Sequence, residues 1–132
     1  MTELDLTVTI VGLCRSPGIS GDEYEAALTA VQQLARYCPD ARIEKGSVTG
    51  TFGSTDPDAP HVLLDAHIDQ VGLIVTDITE DGFVTAGNIG GLDRRLFPDQ
   101  KVRIFGKKHI DGIISCLPPH LTSGEEKVLT YE

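Results

Sequence analysis

The sequence predicts an α/β lobe over residues 1–70, followed by a small, incomplete all-β lobe of barrel-like type over residues 71–132. Three observations carry this expectation. One strongly amphipathic helix pattern stands before residue 40, a continuous apolar run occupies residues 61–66, and no convincing helix pattern follows residue 70. With 14 Gly and 7 Pro among 132 residues, turns must be frequent and long helices few.

Residues 4–14 read two ways. Thr7-Val8-Thr9-Ile10-Val11 has strand propensity, while Leu4, Val8 and Val11 also fit one helical face. Next, Ser20-Gly21-Asp22-Glu23 has the form of a capping box, in which Ser20 would bond the N–H of Glu23 and the Glu23 carboxylate would reach back. Behind it, Tyr24, Ala27, Leu28, Val31, Leu34 and Ala35 recur at three- and four-residue steps as one apolar stripe, and Pro39 stops the helix. Short β-rich runs follow at residues 41–44 and 47–52. Asp56-Pro57-Asp58-Ala59-Pro60 then forms a turn-rich connection into His61-Val62-Leu63-Leu64-Asp65-Ala66, whose unbroken apolar character predicts a strand covered on both faces. After residue 70, strands are expected at 71–78, 83–86, 101–105 and 112–116. Glu80-Asp81-Gly82 is a turn, and Gly87-Asn88-Ile89-Gly90-Gly91 is a glycine-rich stretch.

Eleven basic against twenty acidic residues give a net charge of −9, which excludes a general nucleic-acid binder because phosphate contacts need a basic footprint. No apolar run approaches the ~20 residues that span a bilayer. The N-terminal Met1-Thr2-Glu3-Leu4-Asp5 carries acids where a secretory signal carries Lys or Arg, so a cytoplasmic location is expected. Cys14, Cys38 and Cys116 are odd in number and scattered, which predicts reduced core residues rather than a disulfide framework or a cysteine zinc site.

Chemistry concentrates in Asp65-Ala66-His67-Ile68-Asp69-Gln70, at the C-terminal end of the expected buried strand, where open α/β sheets place ligands. In an extended segment residues i and i+2 share a side, so His67 and Asp69 would face the same way. A carboxylate there can accept the proton of one imidazole nitrogen, fix the tautomer and leave the other nitrogen as a metal ligand. His-x-Asp alone also fits a structural histidine at a strand end.

Longer motifs add to this. Leu63-Leu64-Asp65-Ala66-His67-Ile68-Asp69-Gln70-Val71-Gly72-Leu73-Ile74-Val75 is followed by Asn88-Ile89-Gly90-Gly91-Leu92-Asp93 and Gln100-Lys101-Val102-Arg103-Ile104. Asp111-Gly112-Ile113-Ile114-Ser115-Cys116-Leu117-Pro118-Pro119-His120 comes last, and Pro17-Gly18-Ile19-Ser20-Gly21 opens the series. Collinear over nearly the whole chain, this set resembles the M42 family of dinuclear metalloaminopeptidases, which includes the glutamyl and tetrahedral aminopeptidases and proteins labelled endoglucanase M.

The resemblance implies a zinc-peptidase-like first lobe with His67 as the first metal ligand and Asp69 as the carboxylate that supports it, counted among the catalytic residues. It implies two divalent ions, zinc or cobalt, in the complete enzyme, polarising the peptide carbonyl and lowering the pKa of a bridging water while a glutamate base accepts its proton. The second ion would hold the substrate's free amino group. The substrates implied are peptides, shortened from their N-termini, and a homo-oligomer built through the β lobe is implied as well. The family's bridging Asp, ligand Glu, second Asp, distant His and base Glu have no counterparts in this chain, which therefore reads as the N-terminal part of a longer enzyme, inactive alone. Glu125-Glu126, beside Ser123-Gly124, reads as a solvated turn rather than the glutamate pair. The chain departs from the family at Gln70, where Glu is common: an amide keeps acceptor capacity but removes a charge near the metals. Residues 43–52 match the family's early strands only loosely.

Elsewhere the bland readings prevail. Asp93-Arg94-Arg95 is expected to be structural, Gly90-Gly91 lacks the spacing of a phosphate loop, His109 lies at the surface among Lys107 and Lys108, His61 packs at a strand start, and His120 has no partners. No nucleophile elbow is present. The alternative function is a non-catalytic assembly or binding module derived from the same family, since a partial α/β lobe leaves a sheet edge and an apolar face uncovered. Polysaccharide hydrolysis would need two facing carboxylates, and no such pair is identifiable.

Overall fold

The computed structural model describes residues 3–116. These fall into two compact units that divide between Gly90 and Gly91. The first carries helices α1 (Glu3–Arg15) and α2 (Tyr24–Leu34) and hairpins β1–β2 (Arg42–Glu44, Ser47–Thr49) and β3–β4 (Gly72–Ile78, Val84–Ile89); the second carries a short 3-10 turn (Arg94–Leu96) and hairpin β5–β6 (Lys101–Ile104, Ile110–Ile113). The fold is mixed helix and strand, with three two-stranded antiparallel sheets among the described residues. No helix among them is long and apolar enough to cross a membrane.

The open choice at residues 4–14 resolves to helix. Thr9 Oγ1 donates to Gln33 Oε1 at 3.4 Å and the Ser16 and Thr29 hydroxyls meet at 2.6 Å, so contacts with α2 override the β-branched propensity. Ser16 Oγ also donates to Gly12 O at 3.1 Å, closing the last turn of α1. On α2 the buried positions are Ala26 and Ala27, which with Cys38 are the buried apolar side chains among the described residues. Cys14 and Cys116 are exposed, contrary to the expectation of core cysteines; all three are free thiols, and only Cys38 follows a helix packed on its neighbours.

The expected capping box does not form. Glu23 is the N-cap without a side-chain cap bond, and its Oε1 accepts from the Gly21 N–H at 2.6 Å, while Ser20 turns elsewhere. Helix α2 ends at Leu34, before Pro39, and Cys38 N donates to Leu34 O at 2.9 Å.

Strands β1 and β2 pair through Ile43↔Val48 and Glu44↔Ser47, leaving Lys45 and Gly46 as a two-residue loop with φ of 52° and 85°. Both values are positive, as a type I′ hairpin turn requires, with Lys standing where Asn is usual. The β3–β4 ladder shifts register between Val75 and Asp77, and its turn is closed by Thr79, whose Oγ1 accepts from Phe83 N at 3.0 Å. In β5–β6, Arg103 faces Asp111 across the ladder and donates to it at 2.8 Å. Asp93 caps the 3-10 turn and takes the Arg95 guanidinium with both oxygens, at 2.9 and 2.6 Å, the structural role expected of it.

The expected buried strand at residues 61–66 is overturned. These residues are unpaired, and Val62, Leu63 and Leu64 are 82%, 89% and 91% exposed; His61 is exposed too and begins no strand. A strand covered on both faces needs a ladder partner and layers above and below, and the described residues supply two helices and separate hairpins instead. The expectations at residues 117–132, including His120 and Glu125-Glu126, lie outside the described residues.

Candidate functional site

The site is built where the segment after the exposed apolar run returns to the first helix. Ile19 and Gln70 form an isolated parallel bridge, with Gln70 N donating to Gly18 O at 2.7 Å. Gly18 is small of necessity: a Cβ there would lie 2.6 Å from Ala26 Cβ. The Gln70 side chain reaches past this bridge to the end of α1, where Nε2 donates to Ser16 O at 2.9 Å and to Cys14 O at 3.4 Å. Carbonyls at a helix C-terminus lack intrahelical partners, and an amide donor satisfies them.

With Gln70 so fixed, Asp69 and His67 project beside the Ser16–Gly21 turn. His67 Nδ1 lies 3.0 Å from Asp69 Oδ1 and 3.1 Å from the Asp69 carbonyl. The second carboxylate oxygen accepts from Ser20 Oγ at 2.5 Å, across 49 positions of sequence. The Ser20 hydroxyl, and after it the imidazole of His67, hold the Asp69 carboxyl below its usual 3.8. Because the folded value is depressed, these contacts are fully present above 3.8 and fade as pH falls through the lower folded value. An ionised carboxylate only accepts, so the neutral ring beside it carries its proton on Nδ1, leaving the Nε2 lone pair free. The His67 side chain is 84% exposed, against 34% for Asp69. A histidine braced in this way through Nδ1 can offer Nε2 to a metal ion.

Taken by itself the pair is one ligand and its support. Among the described residues no group of three or more His, Cys, Asp or Glu side chains could hold a metal ion. The donor chemistry fits a divalent cation at one coordination position, whereas a closed zinc site takes three or four protein ligands. A shallow groove of about 200 Å³ lies against Tyr24, Ala27 and Ile43, and neither His67 nor Asp69 lines it.

Ser20 is the site residue that sequence reasoning misassigned. Its spacing to Glu23 advertised a helix cap, and nothing in local sequence pairs it with Asp69. Gln70, noted as a lost charge, acts as a donor to the end of α1.

Comparison with known proteins supplies the context for this pair. A family model described as M42 glutamyl aminopeptidase matches residues 46–131. The lysyl aminopeptidase of Pyrococcus furiosus is 35% identical over 112 residues, which are 83% of this chain and 32% of that protein. The glutamyl aminopeptidase of Lactococcus lactis is 32% identical over 81 residues, covering 60% of this chain and 23% of the relative. Among solved structures, a TET aminopeptidase from a marine sediment archaeon of the Thaumarchaeota superposes with a TM-score of 0.80 at 28% identity, over 98% of this chain and 37% of that one. The chain thus spans about a third of the length of the lysyl aminopeptidase and of the TET aminopeptidase.

Proposed function

The chain belongs to the M42 glutamyl aminopeptidase family, and we propose that it supplies the first metal-binding histidine, His67, and its supporting carboxylate, Asp69, to a dinuclear metal-dependent aminopeptidase that removes N-terminal residues from peptides. The observation that carries this reading is the exposed imidazole held through Nδ1 by an ionised carboxylate 3.0 Å away. When bound, the divalent ions, zinc or cobalt, supply Lewis-acid polarisation of the peptide carbonyl and activate the water that attacks it. The chain's own part is narrower: Asp69 keeps the proton of His67 on Nδ1 and aims Nε2 outward. As one imidazole is one ligand, these 132 residues alone bind metal weakly and turn over no peptide.

Residues 1–70 are, on this reading, the N-terminal part of the catalytic domain, and residues 71–132 an incomplete part of an inserted, barrel-like β domain that joins copies into a homo-oligomer. The test is incubation of the chain with Zn²⁺ or Co²⁺ and aminoacyl-nitroanilides, alongside calorimetric titration of metal. Weak uptake that His67→Ala abolishes, with no chromophore released, is expected. Rapid release by the chain alone overturns the reading.

A non-catalytic assembly module is the second reading, favoured by the exposed Val62-Leu63-Leu64 run and by two-stranded sheets whose outer edges lack ladder partners among the described residues. Light scattering tests this second reading, since a clean monomer at all concentrations removes the assembly module.

A further inference from the structure

The brace that orients His67 is itself held from outside its own segment, and the holder is the turn that follows α1. Asp69 and Gln70 are gripped at four points by residues 14–20: Ser20 Oγ to Asp69 Oδ2 at 2.5 Å, the Gln70 backbone N–H to Gly18 O at 2.7 Å, and Gln70 Nε2 to Ser16 O at 2.9 Å and Cys14 O at 3.4 Å. We propose that Ser20 and Gln70 are positioning residues: the Ser20 hydroxyl fixes the rotation of the Asp69 carboxylate so that Oδ1 faces His67 Nδ1, and the Gln70 amide fixes the backbone that presents both.

The geometry requires a division of labour. A carboxylate on an exposed segment rotates freely about its terminal torsion, which is broad and roughly two-fold. Held only by His67, it would face that ring from either oxygen or from neither. A hydroxyl on the second oxygen removes that freedom, and a charge-assisted O–H donor to a carboxylate is among the stronger hydrogen bonds available to it. The backbone needs separate fixing because residues 61–66, just before the pair, have no ladder to anchor them. Gln70 supplies that anchor by tying the segment to the end of a thirteen-residue helix. The hydrogen bonds of Ser20 and Gln70 go to Asp69 and to the end of α1, so both act on His67 through Asp69.

The inference rests on the reading of His67 as a metal ligand for its purpose, but its test needs no metal. The probe is the full chain, metal-free and labelled with ¹⁵N-histidine, at pH about 8.5 where imidazoles are neutral. The wild type is expected to show His67 as the Nδ1–H tautomer. Ser20→Ala is expected to shift that ring toward the Nε2–H form that an unconstrained histidine side chain prefers in water, with backbone amide signals otherwise in place, and Ser20→Thr, which keeps the hydroxyl, to restore it. Gln70→Met removes the amide donors and leaves Ser20 intact; a partial shift of the same sign is expected, and this variant keeps the test open where Ser20→Ala fails to fold. An Nε2–H ring in the wild type, or a tautomer unmoved in both folded variants, overturns the proposal. Failure of His67 to bind metal, measured separately, would leave the tautomer result standing.

Discussion

The side-chain amide of Gln70 donates to the Ser16 carbonyl at 2.9 Å and to the Cys14 carbonyl at 3.4 Å, so a residue directly after the His67–Asp69 pair closes the C-terminus of a helix more than fifty positions away in sequence. In this chain the surroundings of position 70 are acceptors, which call for a donor.

Gln70→Glu therefore sets carboxylate oxygens against carbonyl oxygens at the negative end of α1. A loss of about 1–2 kcal/mol is expected at neutral pH, from the broken hydrogen bonds and the unfavourable helix dipole. Acidification that protonates the new carboxyl restores a donor and recovers part of the loss. Urea unfolding at two pH values measures this, and equal deficits at both would contradict it.

Two glycines should respond oppositely to alanine. At Gly18 a Cβ would meet the Cβ of buried Ala26 at 2.6 Å. Gly18→Ala is expected to cost about 1–3 kcal/mol through overpacking. At Gly12, inside α1, a Cβ meets nothing within 4 Å, so Gly12→Ala should stabilise by about 0.5–1 kcal/mol through helix propensity. Midpoint shifts of opposite sign at unchanged slope are the expected result.

Asp40 offers a pH readout remote from the site. Both its oxygens accept from Thr51 N, at 2.9 and 3.1 Å, and this backbone bond is the chief reason its carboxyl lies below the usual 3.8. A depressed folded value means that the link is complete above 3.8 and is lost as pH falls through the lower folded value. The Thr51 amide shift, followed by NMR on acidification, should titrate with a midpoint under 3.8. Asp40→Asn should leave that shift flat.

Local patterns were legible wherever local physics decided the outcome. The apolar stripe from Tyr24 to Leu34 is helix, and the short β-rich runs after residue 70 are hairpin strands whose bounds are displaced by up to three residues. What the sequence did not disclose depends on distant partners. Thr7-Val8-Thr9-Ile10-Val11 became helical through Gln33 and Thr29, and Ser20 abandoned the capping role its spacing suggested for a carboxylate 49 positions away. The run at residues 61–66 misled for the converse reason. Its composition states what would cover it, and the described residues do not supply that cover. The His67–Asp69 contact was legible, because i and i+2 spacing places both groups on one side of an extended segment.

A cobalt titration of the ¹⁵N-histidine-labelled chain tests the metal-ligand reading of His67 most directly. Paramagnetic broadening should begin at His67, strongest at Nε2, at Co²⁺ concentrations that leave His61 and His109 sharp. Asp69→Asn should raise the concentration required by about 10- to 100-fold, the usual effect of removing a ligand's supporting partner. Simultaneous broadening of all these histidines, or no change on Asp69→Asn, would contradict the account.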